Sequence, residues 1–269
     1  MYESFYGFRE MPFRITPDPR FLYPSLRHRE AVETLLYGIT QRQGFLVLVG
    51  DVGCGKTTIC RAVLAQLPPD VETALILNPG LSANQVVKAI LSDLGVETRA
   101  RDRLGLLDCL NAHLLEMTAR GRNVAVVIDE AQNLTPELME QVRLLSNLET
   151  DEHKLMQIVL AGQPELEQRL RAKSLRQLRQ RIMVHCALAP LELDDMRGYV
   201  QHRLRTAGRE DNNLFDDAAI RCLHAAGGGI PRLMNKLCDR ALLAGYADGA
   251  ERIGLAHARR AVRELESLR

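Results

Sequence analysis

Between residues 45 and 188 the chain alternates short apolar runs with longer stretches in which apolar residues return every three or four positions. Residues 45–49, 73–77, 123–128, 155–161 and 182–187 have the length and apolar character of strands. The intervening segments 81–94, with Val86, Ile90 and Leu94 on one stripe, and 104–118 have the period of amphipathic helices. A further helix is predicted from Thr135 and Pro136 through residue 148, because Thr135 is a good N-cap and Pro136 suits a first helical turn. The second strand is predicted to end at Asn78, Pro79 and Gly80. Strands joined by helical crossovers predict an α/β fold: a parallel five-stranded sheet with helices on both faces. The unbroken apolar run 123–128 suits a strand covered on both sides.

From Pro190 the texture changes. Residues 194–207, 216–226, 230–246 and 255–268 each carry a helical apolar stripe, and Gly227, Gly228 and Gly229 separate two of them. The expected organisation is an α/β domain over residues 1–189 followed by a small all-helical domain over 190–269. A length of 269 residues suffices for one large or two modest cores. With 46% apolar and 26% charged residues the chain is globular rather than disordered. The balance of 35 basic against 34 acidic residues gives no global attraction to nucleic acid or anionic lipid.

No apolar run approaches the roughly 20 residues that cross a bilayer. The start, Met1 to Phe5, lacks the charged and apolar regions of a secretory signal, so a cytoplasmic location without direct membrane insertion is expected. Cys54, Cys60, Cys109, Cys186, Cys222 and Cys238 show neither a C-x-x-C pair nor a nearby histidine cluster, which argues against a zinc site or a disulfide scaffold.

The chemistry is announced by Gly50, Asp51, Val52, Gly53, Cys54, Gly55, Lys56, Thr57 and Thr58, a run that follows an apolar strand and opens a helix. Glycines at 50, 53 and 55 let successive backbone N–H groups turn inward on a triphosphate. Lys56 then supplies charge to the β and γ phosphates of ATP and Thr57 a hydroxyl for Mg²⁺. The start of the helix adds unpaired amides and a positive dipole end to the same anion site.

A second constellation stands at the end of strand 123–128, where Asp129 and Glu130 place two carboxylates at the carboxyl edge of the sheet. Asp129 is the candidate for Mg²⁺, through water, and Glu130 the candidate for polarising the attacking water. Gln163, after strand 155–161, reaches the same edge and is either a partner of the γ phosphate or a solvated turn residue. The stretch 166–182 is rich in arginine and reads mainly as a solvated amphipathic helix. Arg181, favoured over Arg179, lies where that helix gives way to the last strand, a place from which it could reach a neighbour's nucleotide. Arg232 follows Pro231 at a helix N-terminus, where a cation is disfavoured unless an anion is near, and a bound phosphate would be that anion. Asn235 to Asp239 superficially matches a guanine-reading motif but has one residue too many and lies mid-helix, which argues against GTP.

Phe5 to Phe8, Pro12-Phe13, residues 16–23, His28 to Ala31, residues 161–166, Gln180 to Ile182 and residues 228–239 resemble the AAA+ ATPases of the general secretion pathway protein A type, and the resemblance covers nearly the entire chain. It implies a P-loop NTPase fold with a helical lid and a Walker A motif at Gly50 to Thr57. It further implies a Walker B pair at Asp129 and Glu130, sensor 1 at Gln163, an arginine finger at Arg181 and sensor 2 at Arg232, with residues 16–23 against the adenine. The same resemblance implies ring or filament assembly and a membrane-associated partner in a secretion, pilus or other surface system, with a peripheral place at the inner membrane. Longer members continue into a membrane-spanning helix and a peptidoglycan-binding domain. This sequence ends at Arg269, so it is expected to be either a piece of a longer protein or a short member that reaches the membrane through a partner. The competing function is a DNA-binding ATPase of transposition or replication, for which the near-neutral charge and the lack of an appended helix-turn-helix are unfavourable.

Overall fold

The computed structural model describes residues 1–77, 80–150, 154–211 and 213–267. Asn78 and Pro79, at the expected end of the second strand, and Leu268, the expected last residue of the final helix, lie outside the described residues. In chain order the elements are α1 (Tyr2–Phe5), α2 (Leu26–Thr40), β1 (Phe45–Gly50), α3 (Lys56–Gln66), β2 (Val71–Ile76), α4 (Ala83–Asp93), α5 (Arg103–Ala119) and β3 (Asn123–Ile128). They continue as α6 (Pro136–Leu145), β4 (Gln157–Gly162), α7 (Pro164–Leu170), α8 (Arg176–Gln180), β5 (Ile182–Leu188), α9 (Leu193–Thr206), α10 (Asp217–Gly227), α11 (Pro231–Ala247) and α12 (Leu255–Glu266).

The chain forms two compact units. One comprises Glu30–Gly50 and Ile59–Leu188. Its five strands pair in the order β2-β3-β4-β1-β5, every pairing parallel. The three interior strands are buried at every position, in keeping with sequences that are apolar beyond Asn123 and Gln157, whereas the edge strand β5 buries only Val184, Cys186 and Leu188 on alternate positions. Ile90, Leu91, Leu110 and Leu114 of the crossover helices complete the core with Val126, Ile158 and Leu160 of the strands. Two buried amides fasten the strand starts to each other. Gln157 accepts the Gly44 N–H at 2.7 Å and donates to Asn123 Oδ1, while Asn123 donates to the Ile39 carbonyl at 2.8 Å. Burying them costs little because their donors and acceptors are met.

In this unit the arginine-rich stretch differs from the single helix expected. It breaks into α7, a 3-10 turn at Lys173–Leu175 and α8. Leu166, Leu170, Leu175 and Leu178 face the core, so the arginines between them are pushed outward. The helix predicted to reach residue 148 stops at Leu145, where the Ser146 hydroxyl turns back to the Arg143 carbonyl at 2.7 Å.

The other unit comprises Met1–Arg29, Asp51–Thr58 and Ala189–Arg269, so the first 29 residues cluster with the C-terminal helices. Tyr2, Tyr6, Phe8, Phe13 and Phe21 enter the same core as Met196, Leu223, Leu237 and Leu242. The Tyr6 hydroxyl donates to the Ala250 carbonyl at 3.1 Å and the Tyr2 hydroxyl to Asp239. Arg203 is buried beneath this segment. Its guanidinium donates to the carbonyls of Pro12 at 2.6 Å and Arg14 at 2.9 Å and stacks 4.7 Å from the Phe21 ring. Cation–ring attraction and two charge-assisted hydrogen bonds offset the cost of burying the charge. No helix among the described residues is long and apolar enough to cross a membrane, and none of the six cysteines forms a disulfide.

Candidate nucleotide site

The chain leaves β1 at Gly50, and Lys56 begins α3, so residues 51–55 form the loop between strand and helix. Gly53 and Gly55 adopt φ of +86° and +97°, which residues with a side chain rarely take. A Cβ on Gly53 would also lie 2.7 Å from the Arg232 Cβ and 3.2 Å from Ile230 Cγ2, so the loop passes too close to α11 for any other residue. Lys56 is buried, and its ammonium donates to the Asp51 carbonyl at 3.1 Å, across the mouth of its own loop. Arg232 occupies the second position of α11, and its backbone N–H donates to the Gly53 carbonyl at 3.2 Å, so this residue lies directly against the 51–55 loop.

Pattern reasoning gave His28 no role, yet it is part of this loop's support. The ring is buried with Nε2 3.3 Å from the Cys54 carbonyl and Nδ1 2.6 Å from Ser25 Oγ. Burial holds its basicity below the ordinary histidine value, so the neutral ring is favoured. A neutral ring satisfies both partners when Nε2–H donates to Cys54 and Nδ1 accepts from the Ser25 hydroxyl. Burial also pushes the Cys54 thiol up, with Asp51 adding to the effect, which leaves it a poor nucleophile. Residues 16–23 contain the 3-10 turn Pro19–Phe21, capped by Asp18; Phe21 lies under Arg203 and Tyr23 packs edge-on against Tyr199. Asn235 lies within α11 and accepts from the Tyr199 hydroxyl, a structural use of the segment that superficially matched a guanine reader.

The second group of residues is built on the sheet unit. Because β4 lies between β3 and β1, the carboxyl ends of these three strands are neighbours. Asp129 continues from β3, is 2% exposed, donates its N–H to the Ile76 carbonyl and accepts the Glu130 N–H on Oδ1 at 2.9 Å. Glu130 is left-handed, with φ 52° and ψ 35°, a conformation costing about 1–2 kcal/mol for a residue with a side chain. Such strain in a non-glycine residue is characteristic of functional turns. Its Oε2 accepts from Gln132 Nε2 at 2.6 Å and from Gln163 Nε2 at 3.2 Å. Gln163 is the extended N-cap of α7, with Pro164 at the first helical position. Its own N–H donates to Gln132 Oε1 at 3.0 Å. Glu130 and Gln163, both expected at this edge, are thus brought together, and the buried Gln132 that ties them was not anticipated.

Arg181 ends α8, half-buried, with its guanidinium donating to Ser146 Oγ and Asn147 Oδ1, each at 2.6 Å. Arg179 is exposed and makes one long contact, at 3.4 Å, to the Arg171 carbonyl.

The strand order, the strand-loop-helix at Gly50 to Thr57 and the acidic end of β3 define a P-loop NTPase fold of the AAA+ class with a helical C-terminal part. Residues 39–170 match the family described as AAA domain. The chain is a relative of general secretion pathway protein A from Aeromonas hydrophila, to which it is 48% identical over 254 residues. That match takes in 94% of this chain and 46% of the relative, so the chain spans less than half of the curated protein it resembles. Among solved structures, the ORC2 protein of Aeropyrum pernix, in ADPNP and ADP complexes, superposes with a TM-score of 0.72 at 17% identity, covering 93% of this chain and 72% of that one. Cdc6p from Pyrobaculum aerophilum gives 0.71 at 17% identity over 97% and 70%. The RuvB Holliday junction branch migration motor of Thermotoga maritima gives 0.61 at 17% over 91% and 73%. At these identities the likeness is one of fold.

Proposed function

We propose that this chain binds and hydrolyses ATP with Mg²⁺ and couples that cycle to self-assembly, in the service of a membrane-associated secretion or surface-structure system. The observation that carries the hydrolytic reading is Glu130, a strained carboxylate at the end of β3 held by two amide donors, since a protein that only bound nucleotide would have no use for an aimed carboxylate. The phosphate loop supports the nucleotide half, with Gly53 and Gly55 in the backbone region that lets amides converge on an anion. Lys56 neutralises charge on the β and γ phosphates, and Glu130 accepts the proton of the attacking water. Asp129 and Thr57 would hold Mg²⁺, an ion that takes one or two protein oxygens and completes its shell with phosphate and water. Bound there, the ion would neutralise charge developing on the phosphates. Arg232 contacts the γ phosphate, Gln163 registers its presence, and Arg181 acts on the nucleotide of a neighbouring copy.

The secretion reading follows from the likeness to general secretion pathway protein A, and the DNA reading from more distant structures, one of which is an Aeropyrum pernix ORC1 protein in complex with DNA. One assay separates them: the ATPase rate per subunit, across protein concentration, with and without double-stranded DNA, for the native chain and Glu130→Gln. The expected result is a rate that rises with concentration, ignores DNA and falls about 10²–10⁴-fold in Glu130→Gln while ATP binding persists. Strong, salt-sensitive DNA stimulation would replace the secretion reading. Native turnover in Glu130→Gln would overturn the assignment of the water-activating residue.

A further inference from the structure

We infer that Gln132 is a positioning residue for Glu130: it fixes the water-activating carboxylate and couples it to the strand end that carries Gln163. The inference rests on the role of Glu130 proposed above. Gln132 is buried, and each end of its amide is committed, Nε2 donating to Glu130 Oε2 at 2.6 Å and Oε1 accepting the Gln163 N–H at 3.0 Å. Rotating the amide by half a turn would set its oxygen against a carboxylate and its NH₂ against an N–H, so one orientation alone is tolerated. Gly162, at the end of β4, leaves free the space that the amide uses, because a Cβ there would come 3.0 Å from Gln132 Oε1. Gln163 also donates to Glu130 Oε2, yet at 3.2 Å and from a half-exposed position, so the shorter, buried contact of Gln132 is the one that fixes the carboxylate.

A glutamate side chain has several rotatable bonds, and only a fraction of its rotamers aim the carboxylate at a water beside the γ phosphate. Backbone strain at Glu130 and the Asp129 bond to its N–H set where the side chain starts; Gln132 sets where it ends. A group that holds a reacting carboxylate in one pose acts on turnover and leaves substrate affinity untouched.

The test is Gln132→Met, which keeps the length and removes donor and acceptor, made in the native chain and again in Glu130→Gln. Steady-state and single-turnover hydrolysis give kcat and KM, titration with a fluorescent ATP analogue gives affinity, and thermal melting reports folding. In the native background kcat is expected to fall about tenfold to a hundredfold with affinity unchanged, as for other partners that orient a reacting group. In the Glu130→Gln background the same change should add less than about twofold, because residues that act as a unit are not additive. Unchanged kcat, an equal loss in both backgrounds, or affinity and melting temperature falling together with kcat would each overturn the positioning role. Native turnover in Glu130→Gln alone would remove the premise instead, and that result is read before Gln132 is touched. Should Gln132→Met fail to fold, Gln132→Leu removes donor and acceptor in a more compact side chain, and native kcat in that variant overturns the proposal equally.

Discussion

Gly53→Ala and Gly55→Ala look alike in sequence, and the structure separates them. Both glycines have positive φ, so either alanine meets a backbone cost of about 1–2 kcal/mol. At Gly55 a Cβ meets nothing nearer than the His28 Nε2 at 3.7 Å, an ordinary contact. At Gly53 it would be driven to 2.7 Å from the Arg232 Cβ and 3.2 Å from Ile230 Cγ2, carbon atoms fixed to the start of a helix. Overpacking of that kind costs about 1–3 kcal/mol. The loop is thus disfavoured by about 2–5 kcal/mol in Gly53→Ala against about 1–2 in Gly55→Ala. At about 1.4 kcal/mol per tenfold, ATP affinity should drop roughly 30-fold or more in the first and about 5- to 30-fold in the second. Titration of the full chain with a fluorescent ATP analogue, with thermal melting alongside, measures both. Binding by Gly53→Ala within about twofold of the native chain, or a weaker Gly55→Ala, would refute the close approach of this loop to α11.

Removing the buried guanidinium in Arg203→Ala leaves the Pro12 and Arg14 carbonyls short of a donor and should cost about 2–4 kcal/mol in urea unfolding, whereas Arg259→Ala, on the exposed face of α12, should stay within about 0.5. Because burial lowers the pKa of folded His28, the unfolded chain takes the proton first as acid is added. The His28 contribution to stability is therefore whole above about pH 6.5 and drains as pH falls toward the lowered folded value, by at most about 1.4 kcal/mol per unit. Unfolding at pH 7.5 and 5.5 should show this slope reduced in His28→Gln, with a remainder from His202, which burial also lowers. Arg181→Ala should bind ATP normally and lose about 10³-fold or more of any rate that appears on assembly, measured as activity per subunit across concentration. An unchanged concentration profile would leave Arg181 with its intrachain bonds to Ser146 and Asn147 as its whole role.

The sheet was legible in the sequence because its interior strands are buried on both faces and are apolar beyond the amides Asn123 and Gln157 at the starts of β3 and β4, so β3 was placed to the residue. Errors gathered where side-chain chemistry competes with pattern. Strand β2 starts two residues earlier than read because Val71 and Glu72 pair with Asn123 and Val124 at the sheet edge, where polarity is allowed. The arginine-rich stretch read as one helix because charge hides the short apolar steps that bend it. The turn at Gly53 and Gly55 was legible since glycines have few other reasons to stand at that spacing between a strand and a helix, and both take positive φ. Gln132 and His28 were not, because each acts through a contact created only when distant segments meet: 31 residues separate Gln132 from Gln163 and 26 separate His28 from Cys54. The N-terminal aromatics likewise follow neither helical nor strand period and declare themselves only by sharing a core with α9 to α12.

That shared core sets an order of events during synthesis. The hydroxyl of Tyr2 finds its acceptor 237 positions further on, and the carbonyl of Gly53 is met by the N–H of Arg232. Every residue of the sheet unit has been added by residue 188, while the opening aromatics still wait for helices not yet made. An unfinished chain therefore holds a formed sheet beside exposed apolar rings and a phosphate loop lacking one of its supports, the state in which aggregation competes with folding. A nascent copy therefore lacks the bond from the Arg232 N–H to the Gly53 carbonyl, and with it one support of the loop, until translation has passed α11.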